Sequence, residues 1–280
     1  MNSNTNYGIY ISNFGPNWTV SSIVELAKEA EKAGWDGFFL WDHIYADDMQ
    51  DANVLDPFIV LAAIASHTKK IRIGTTVTPL ARRQPWKIAR ETASLDQLSN
   101  GRFILGVGLG GDPVNEFAAF GLESNAKIRG EMLDESLEIL QGLWSGEKFA
   151  YNGKHYQIKE TQFLPATVQK PTIPIWVGGN WPNKKPFRRA AKFQGVFPLG
   201  AGPLQPNDYQ AILTYIKKYQ QQQNKSFDVV FSTSSKALAD FDEMISDYSS
   251  AGVNWFVECF HPWRADFDTL KQIVKDSPRK

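Results

Sequence analysis

Short runs of β-branched and aromatic residues alternate with longer segments of helical period along the whole chain, the mark of repeated strand–helix units around a parallel sheet. The sequence predicts eight strands, at Tyr7–Ser12, Gly37–Trp41, Ile71–Val77, Phe103–Val107, Ile173–Val177, Gly195–Pro198, Asp228–Ser232 and Asn254–Glu258. Eight helical patterns accompany them, at Val20–Ala33, Pro57–His67, Trp86–Leu98, Arg129–Trp144, Pro186–Phe193, Asn207–Gln222, Leu238–Ala251 and Asp266–Val274. Ile23, Ala27 and Ala30 give the first helix an apolar stripe, and Gly34 is placed to cap it and turn the chain into the next strand. Asn100-Gly101 and Ala251-Gly252 repeat the device before the fourth and eighth strands. Eight such units in 280 residues suit a closed (β/α)8 barrel, typically ~250 residues, better than an open sheet. The expected fold is therefore α/β, one barrel over residues 1–280.

One segment breaks the alternation. Between Ser145 and Pro174 two short runs flank Asn152-Gly153 and a proline-bearing connection follows, which predicts a hairpin inserted after the fourth unit. Its expected place is near the active-site loops, where it would contribute to substrate choice.

Composition narrows the function. Lys plus Arg and Asp plus Glu number 30 each, so no net charge draws the chain to nucleic acid or an anionic membrane. Cys259 is the single cysteine, and the four histidines are too scattered for a zinc pattern. No metal site is expected. The sequence has no uncharged apolar run of the ~20 residues a membrane span needs and no secretory pattern at its start, so a cytoplasmic protein is expected.

Barrels of this kind carry chemistry at the C-terminal ends of their strands. Those ends supply Asn13, Trp41-Asp42-His43, Thr75-Thr76, Gly108, Asp112, Gly178-Gly179-Asn180, Leu199-Gly200 and Glu258. His43 suits proton exchange, or it is a hydrogen-bonded structural histidine. Asp42 stands beside it; Asp112 is either an acid of the site or, with Pro113, the start of a helical turn. Glu258 closes an apolar strand, where a carboxylate needs a reason; it is catalytic or tied to an arginine such as Arg264. Gly178, Gly179 and Gly200 let backbone approach a phosphate, or they make tight turns. The run Gly106–Gly111 matches G-x-G-x-x-G, but three units precede it and no acidic strand end follows at the distance a dinucleotide site requires.

Taken together, the motifs resemble the luciferase-like, flavin-dependent oxidoreductase family along nearly the whole chain. They are Ala33-Gly34-Trp35-Asp36-Gly37 leading to Trp41-Asp42-His43, Ile73 to Pro79, Leu98-Ser99-Asn100-Gly101-Arg102-Phe103 leading to Gly106-Val107-Gly108, Phe149 to Tyr156, and Pro174 to Gly179. The resemblance implies a flavin ring at the C-terminal mouth, with a non-proline cis peptide in a bulge behind it, expected at Thr75–Thr76. Reduced FMN, supplied by a separate flavin reductase, would then serve with O2 to oxygenate a small organic substrate. The alternative is hydride transfer with a deazaflavin coenzyme, in which His43 and Asp112 match the histidine and acid; a non-catalytic flavin-binding barrel is a third reading. On this basis Asn13, Trp41, Thr75, Thr76, Gly108, Gly178, Gly179, Asn180, Leu199 and Gly200 form the expected cofactor surface. His43, Asp42, Asp112 and Glu258 are the expected catalytic set, Phe14, Trp41, Trp181 and Trp263 the walls, and a homodimer the assembly.

Overall fold

A computed structural model describes residues 5–45, 52–111, 116–220, 226–233 and 241–276, without the side chains of 241–243. Along these residues the elements are β1 (Asn6–Ile11), β2 (Phe14–Pro16), α1 (Val20–Ala33), β3 (Gly37–Leu40), β4 (Ala52–Val54), α2 (Pro57–His67), β5 (Arg72–Pro79), α3 (Pro85–Leu98), β6 (Phe103–Gly108) and α4 (Ala126–Trp144). They continue with β7 (Lys148–Asn152), β8 (Gln157–Gln162), β9 (Ile175–Asn180), α5 (Lys184–Ala190), β10 (Gly195–Leu199), α6 (Pro206–Lys217), β11 (Asp228–Thr233), α7 (Phe241–Ser250), β12 (Trp255–Phe260) and α8 (Phe267–Asp276).

Strands β1, β3, β5, β6, β9, β10, β11 and β12 close into a parallel barrel in that cyclic order. Side chains alternate across each strand, and the alternation makes two apolar layers. Phe39, Ile104, Trp176, Phe197, Val230, Trp255 and Val257 fill the barrel. Their neighbours Phe38, Leu40, Leu105, Val177 and Phe256 face outward into the layer shared with the helices.

Local chemistry explains the element boundaries. The Thr19 hydroxyl accepts from Ser22 N at 3.1 Å and Ser22 Oγ accepts from Thr19 N at 3.0 Å, a reciprocal cap that starts α1. Gly34 ends α1 at φ 91° and Gly252 precedes the last strand at φ 99°, a left-handed conformation that a Cβ disfavours. Helix α4 begins at Ala126, earlier than the apolar pattern places it, because Asn125 Oδ1 caps the backbone of Lys127 and Ile128. The short antiparallel pair β2–β4 joins Phe14 to Val54; its three-residue strands carry no periodic signal.

Strands β7 and β8 pair antiparallel after α4. The backbone N–H groups of Lys154, His155 and Tyr156 at their tip converge on the Glu135 carboxylate at 2.9–3.2 Å, and Tyr151 Oη donates to Glu138 at 2.9 Å. The pair therefore packs along α4. Among the described residues no helix is long and apolar enough to cross a membrane.

Candidate active site

The end of β3 is built around buried charge. Asp42, with its side chain fully buried, accepts from Arg82 Nη2 at 2.6 Å and from Arg83 Nη2 and Nε at 2.7 and 3.1 Å. Arg82, itself buried in the turn after β5, gives its other nitrogen to Glu116 Oε1 at 2.8 Å. Glu116 Oε1 also accepts from Ile44 N at 2.6 Å, while its Oε2 meets His43 Nδ1 at 3.0 Å. The result is a chain of alternating charge, Asp42–Arg82–Glu116–His43, with a partly exposed imidazole at its end. Burial raises the Glu116 carboxyl, but hydrogen bonding and charge from His43, the Arg82 guanidinium and the Ile44 N–H outweigh it and hold the group below the usual carboxylate range. Asn13 fixes the backbone here: its Nδ2 donates to the carbonyls of His43 and Leu55 at 2.7 Å each and its Oδ1 accepts from His43 N at 3.0 Å.

The end of β5 carries a bulge, seen as a register shift against β6 between Thr75 and Thr78. The Thr76–Val77 peptide within it is cis, one bond beyond the Thr75–Thr76 position expected. The inserted residue turns Val77 toward the lumen, where a Cβ on Gly108 would lie 2.6 Å, and one on Gly178 2.7 Å, from its methyl groups. A Cβ on Gly106 would likewise strike Thr75 O. The G-x-G spacing of β6 thus makes room for its neighbour's bulge. Thr75 is occupied as well, its hydroxyl donating to Gly106 O at 3.2 Å and accepting from Thr78 Oγ1 at 2.9 Å.

Three buried polar atoms at these strand ends have no partner among the described residues: Trp41 Nε1, Thr76 Oγ1 and His261 Nδ1. They follow or sit in β3, β5 and β12. A buried polar atom left unpaired costs ~1–3 kcal/mol, and three at one barrel end are the donor set that a heterocycle with ring N–H and carbonyl groups would satisfy. Burial and the Arg264 charge lower the His261 pKa, which favours the neutral imidazole and its mixed donor–acceptor character. A cleft of about 800 Å³ lined by Gln141, Arg188, Lys192, Tyr219 and Phe227 opens at the opposite, N-terminal end of β10 and β11, away from these groups.

A sequence profile of the luciferase-like monooxygenases matches residues 6–265. The chain belongs to the luciferase-like monooxygenase family. It is 34% identical over 171 residues to an F420-dependent glucose-6-phosphate dehydrogenase of Microbacterium testaceum, covering 60% of this chain and 48% of that one. It is 30% identical over 165 residues to the oxygenase component of a flavin-dependent trigonelline monooxygenase of Acinetobacter baylyi, covering 59% and 44%. The chain spans about half the length of the first of these relatives. In structure it is similar to the F420-dependent tetrahydromethanopterin reductase of Methanopyrus kandleri, with a TM-score of 0.75 at 18% identity over 98% of this chain and 97% of the other.

Within this luciferase-like barrel the residues singled out from sequence fall into separate groups. Trp41 and His43 come together at the mouth, ring centroids 5.7 Å apart, and Thr76 lies in the β5 bulge with its hydroxyl unpartnered among the described residues. Asp42 and Asn13 are committed elsewhere: their side chains bond to Arg82, Arg83 and loop backbone, so they hold the His43 loop in place. Glu258 is inside β12, and the alternation that sends Val257 and Cys259 inward turns it outward to pair with Arg264. Its placement at a strand end fails because β12 runs on to Phe260. Gly179, within β9, leaves space for Pro186, 2.1 Å from where its Cβ would be, and Gly200, after β10, for Leu204 at 2.8 Å. Asn180 is exposed and Leu199 half-buried beside the inner cluster. Asp112 lies outside the described residues. Sequence reasoning missed Arg82, Arg83 and His261. The only local signal for His261 was the position of the strand end, which the apolar run Trp255–Val257 set too early.

Proposed function

We propose that this luciferase-like chain is an oxidoreductase that binds a flavin or deazaflavin at the C-terminal mouth of its barrel and moves a hydride between that ring and an organic substrate. The observation that carries the reading is the 3.0 Å contact between His43 Nδ1 and the buried Glu116 carboxylate. A carboxylate beside Nδ1 keeps the proton there and leaves Nε2 as a base. His43 can then take the proton from a substrate O–H, or return it, as hydride leaves or reaches the adjacent carbon. The bound ring supplies the hydride acceptor or donor; Trp41, Thr76 and His261 are the residues fitted to hold it or the substrate beside it. Glu116 and Arg82 are positioning residues, which fix the imidazole and are fixed in turn by Asp42.

A second reading keeps the same mouth but uses reduced FMN and O2 to oxygenate the substrate, with a separate reductase as partner. It is supported by the aromatic side chains of Phe14, Trp41 and Trp263 gathered there and by the likeness to a flavin-dependent oxygenase component. Titration of the chain with FMN, reduced FMN and the deazaflavin coenzyme separates the two. Tight deazaflavin binding is expected for hydride transfer; preference for reduced FMN, with oxygen consumption, selects oxygenation. Failure to bind any of the three would overturn both.

A further inference from the structure

Trp41, Phe14, Trp263 and His261 form a closed circuit of ring contacts at the mouth. Successive centroids lie 5.9 Å apart for Phe14–Trp41, 5.6 Å for Phe14–Trp263, 5.5 Å for His261–Trp263 and 6.2 Å for Trp41–His261. Two members of the circuit, Trp41 and His261, carry the buried unpartnered nitrogens. Their ring centroids lie 6.2 Å apart. Trp263, 55% exposed, is the open side. The cation beside His261 is committed: Arg264 pairs with Glu258 and donates to Cys259 O at 2.5 Å. The imidazole of His43, edge-on to Phe14 at 5.4 Å, is committed at Nδ1 to Glu116.

We infer that Trp41 and His261 are specificity-determining residues that together hold the hydroxyl or carbonyl oxygen of an uncharged substrate, whose apolar ring lies against Phe14 and Trp263. The indole N–H only donates, whereas a neutral imidazole nitrogen donates or accepts by tautomer. A hydroxyl or a carbonyl oxygen satisfies the pair by accepting from both, which leaves a hydroxyl's own proton for His43. Aromatic walls with a few convergent polar atoms take apolar ligands in one orientation. A site built to bond an oxygen discriminates strongly against the analogue that lacks it, because its own polar atoms are then left unpaired. This assignment rests on the mouth being the reaction site proposed above.

The test uses the full chain, three uncharged probes of similar shape (1-phenylethanol, acetophenone and isopropylbenzene, which has no oxygen) and benzoate as a charged fourth. Binding is followed by tryptophan fluorescence and by the 15N shifts of indole and imidazole. The uncharged oxygenated probes are expected to bind at least ~10-fold more tightly than the hydrocarbon and to shift the Trp41 and His261 nitrogen signals of the unaltered protein. Trp41→Phe and His261→Phe, which keep an aromatic ring but remove the nitrogen, should each cut the preference for the oxygenated probes to about 2-fold. Equal affinity for the three uncharged probes, a preference that survives in both variants, or tighter binding of benzoate than of acetophenone would overturn the inference. Cofactor titrations run separately: a chain that discriminates the probes but binds no flavin or deazaflavin sinks the functional reading alone.

Discussion

The His43 imidazole and the Glu116 carboxylate meet at 3.0 Å although 73 residues separate them, and Glu116 is 5% exposed while His43 is 31% exposed. A buried acid thus sets the state of a ring that reaches the mouth. His43→Ala is expected to lower turnover ~10²–10⁴-fold with a small change in stability. Glu116→Gln should lower it about 10–100-fold through misorientation, with KM little altered and partial recovery in Glu116→Asp. Steady-state kinetics on the three variants check this; full activity in Glu116→Gln would remove its positioning role.

Asp42 is held by two arginines, so it should matter to stability before chemistry. Asp42→Asn leaves Arg82 and Arg83 without their shared anion and is expected to cost ~3 kcal/mol, read as a lower urea midpoint at unchanged slope. An Asp42→Asn protein of normal stability that had lost activity would instead make Asp42 a participant in proton transfer.

Val77 and Gly178 share one space in the lumen. Gly178→Ala forces the two together and is expected to destabilise by ~1–3 kcal/mol. In a Val77→Ala background the same change should cost under about 0.5 kcal/mol, because the colliding methyl is gone. Thermal unfolding of the double-mutant cycle decides it; additive costs would mean that Gly178 serves some other contact.

The β7–β8 tip is pinned by acid groups of α4. Hydrogen bonds from Lys154 at 2.7 Å and His155 at 3.1 Å pull the Glu131 carboxyl down to about 2. A carboxyl depressed in the folded state contributes stability above its ordinary pKa and loses it as pH falls toward the depressed value. The window here is therefore pH 4.5 down to about 2. Amide exchange at Lys154, His155 and Tyr156 is expected to quicken relative to the barrel strands across that window, and less so in Glu131→Gln, where the contribution is already absent. Exchange independent of pH after correction for intrinsic rates would refute the pinning.

Much of the barrel could be read from the chain because its signals are local. Runs such as Phe103–Val107 and helices such as Val20–Ala33 carry their own periodicity, and Gly34 declares its turn through the absence of a Cβ. The same local reading picked out Trp41 and His43, since a strand end in a barrel is a chemical position wherever it falls. It could not foresee that Gly106, Gly108 and Gly178 answer a bulge in β5, because that fit lies between strands 30 to 100 residues apart. Nor could it separate Asp42, spent on Arg82 and Arg83, from Glu116, turned to His43. A carboxylate looks the same in any sequence; its partners, its burial and the side of the strand it faces arise only when the barrel closes. So the sequence determined the repeat, the fold and the neighbourhood of the chemistry. The tertiary structure decided which polar atoms are already satisfied and which, as at Trp41, Thr76 and His261, are left for a ligand.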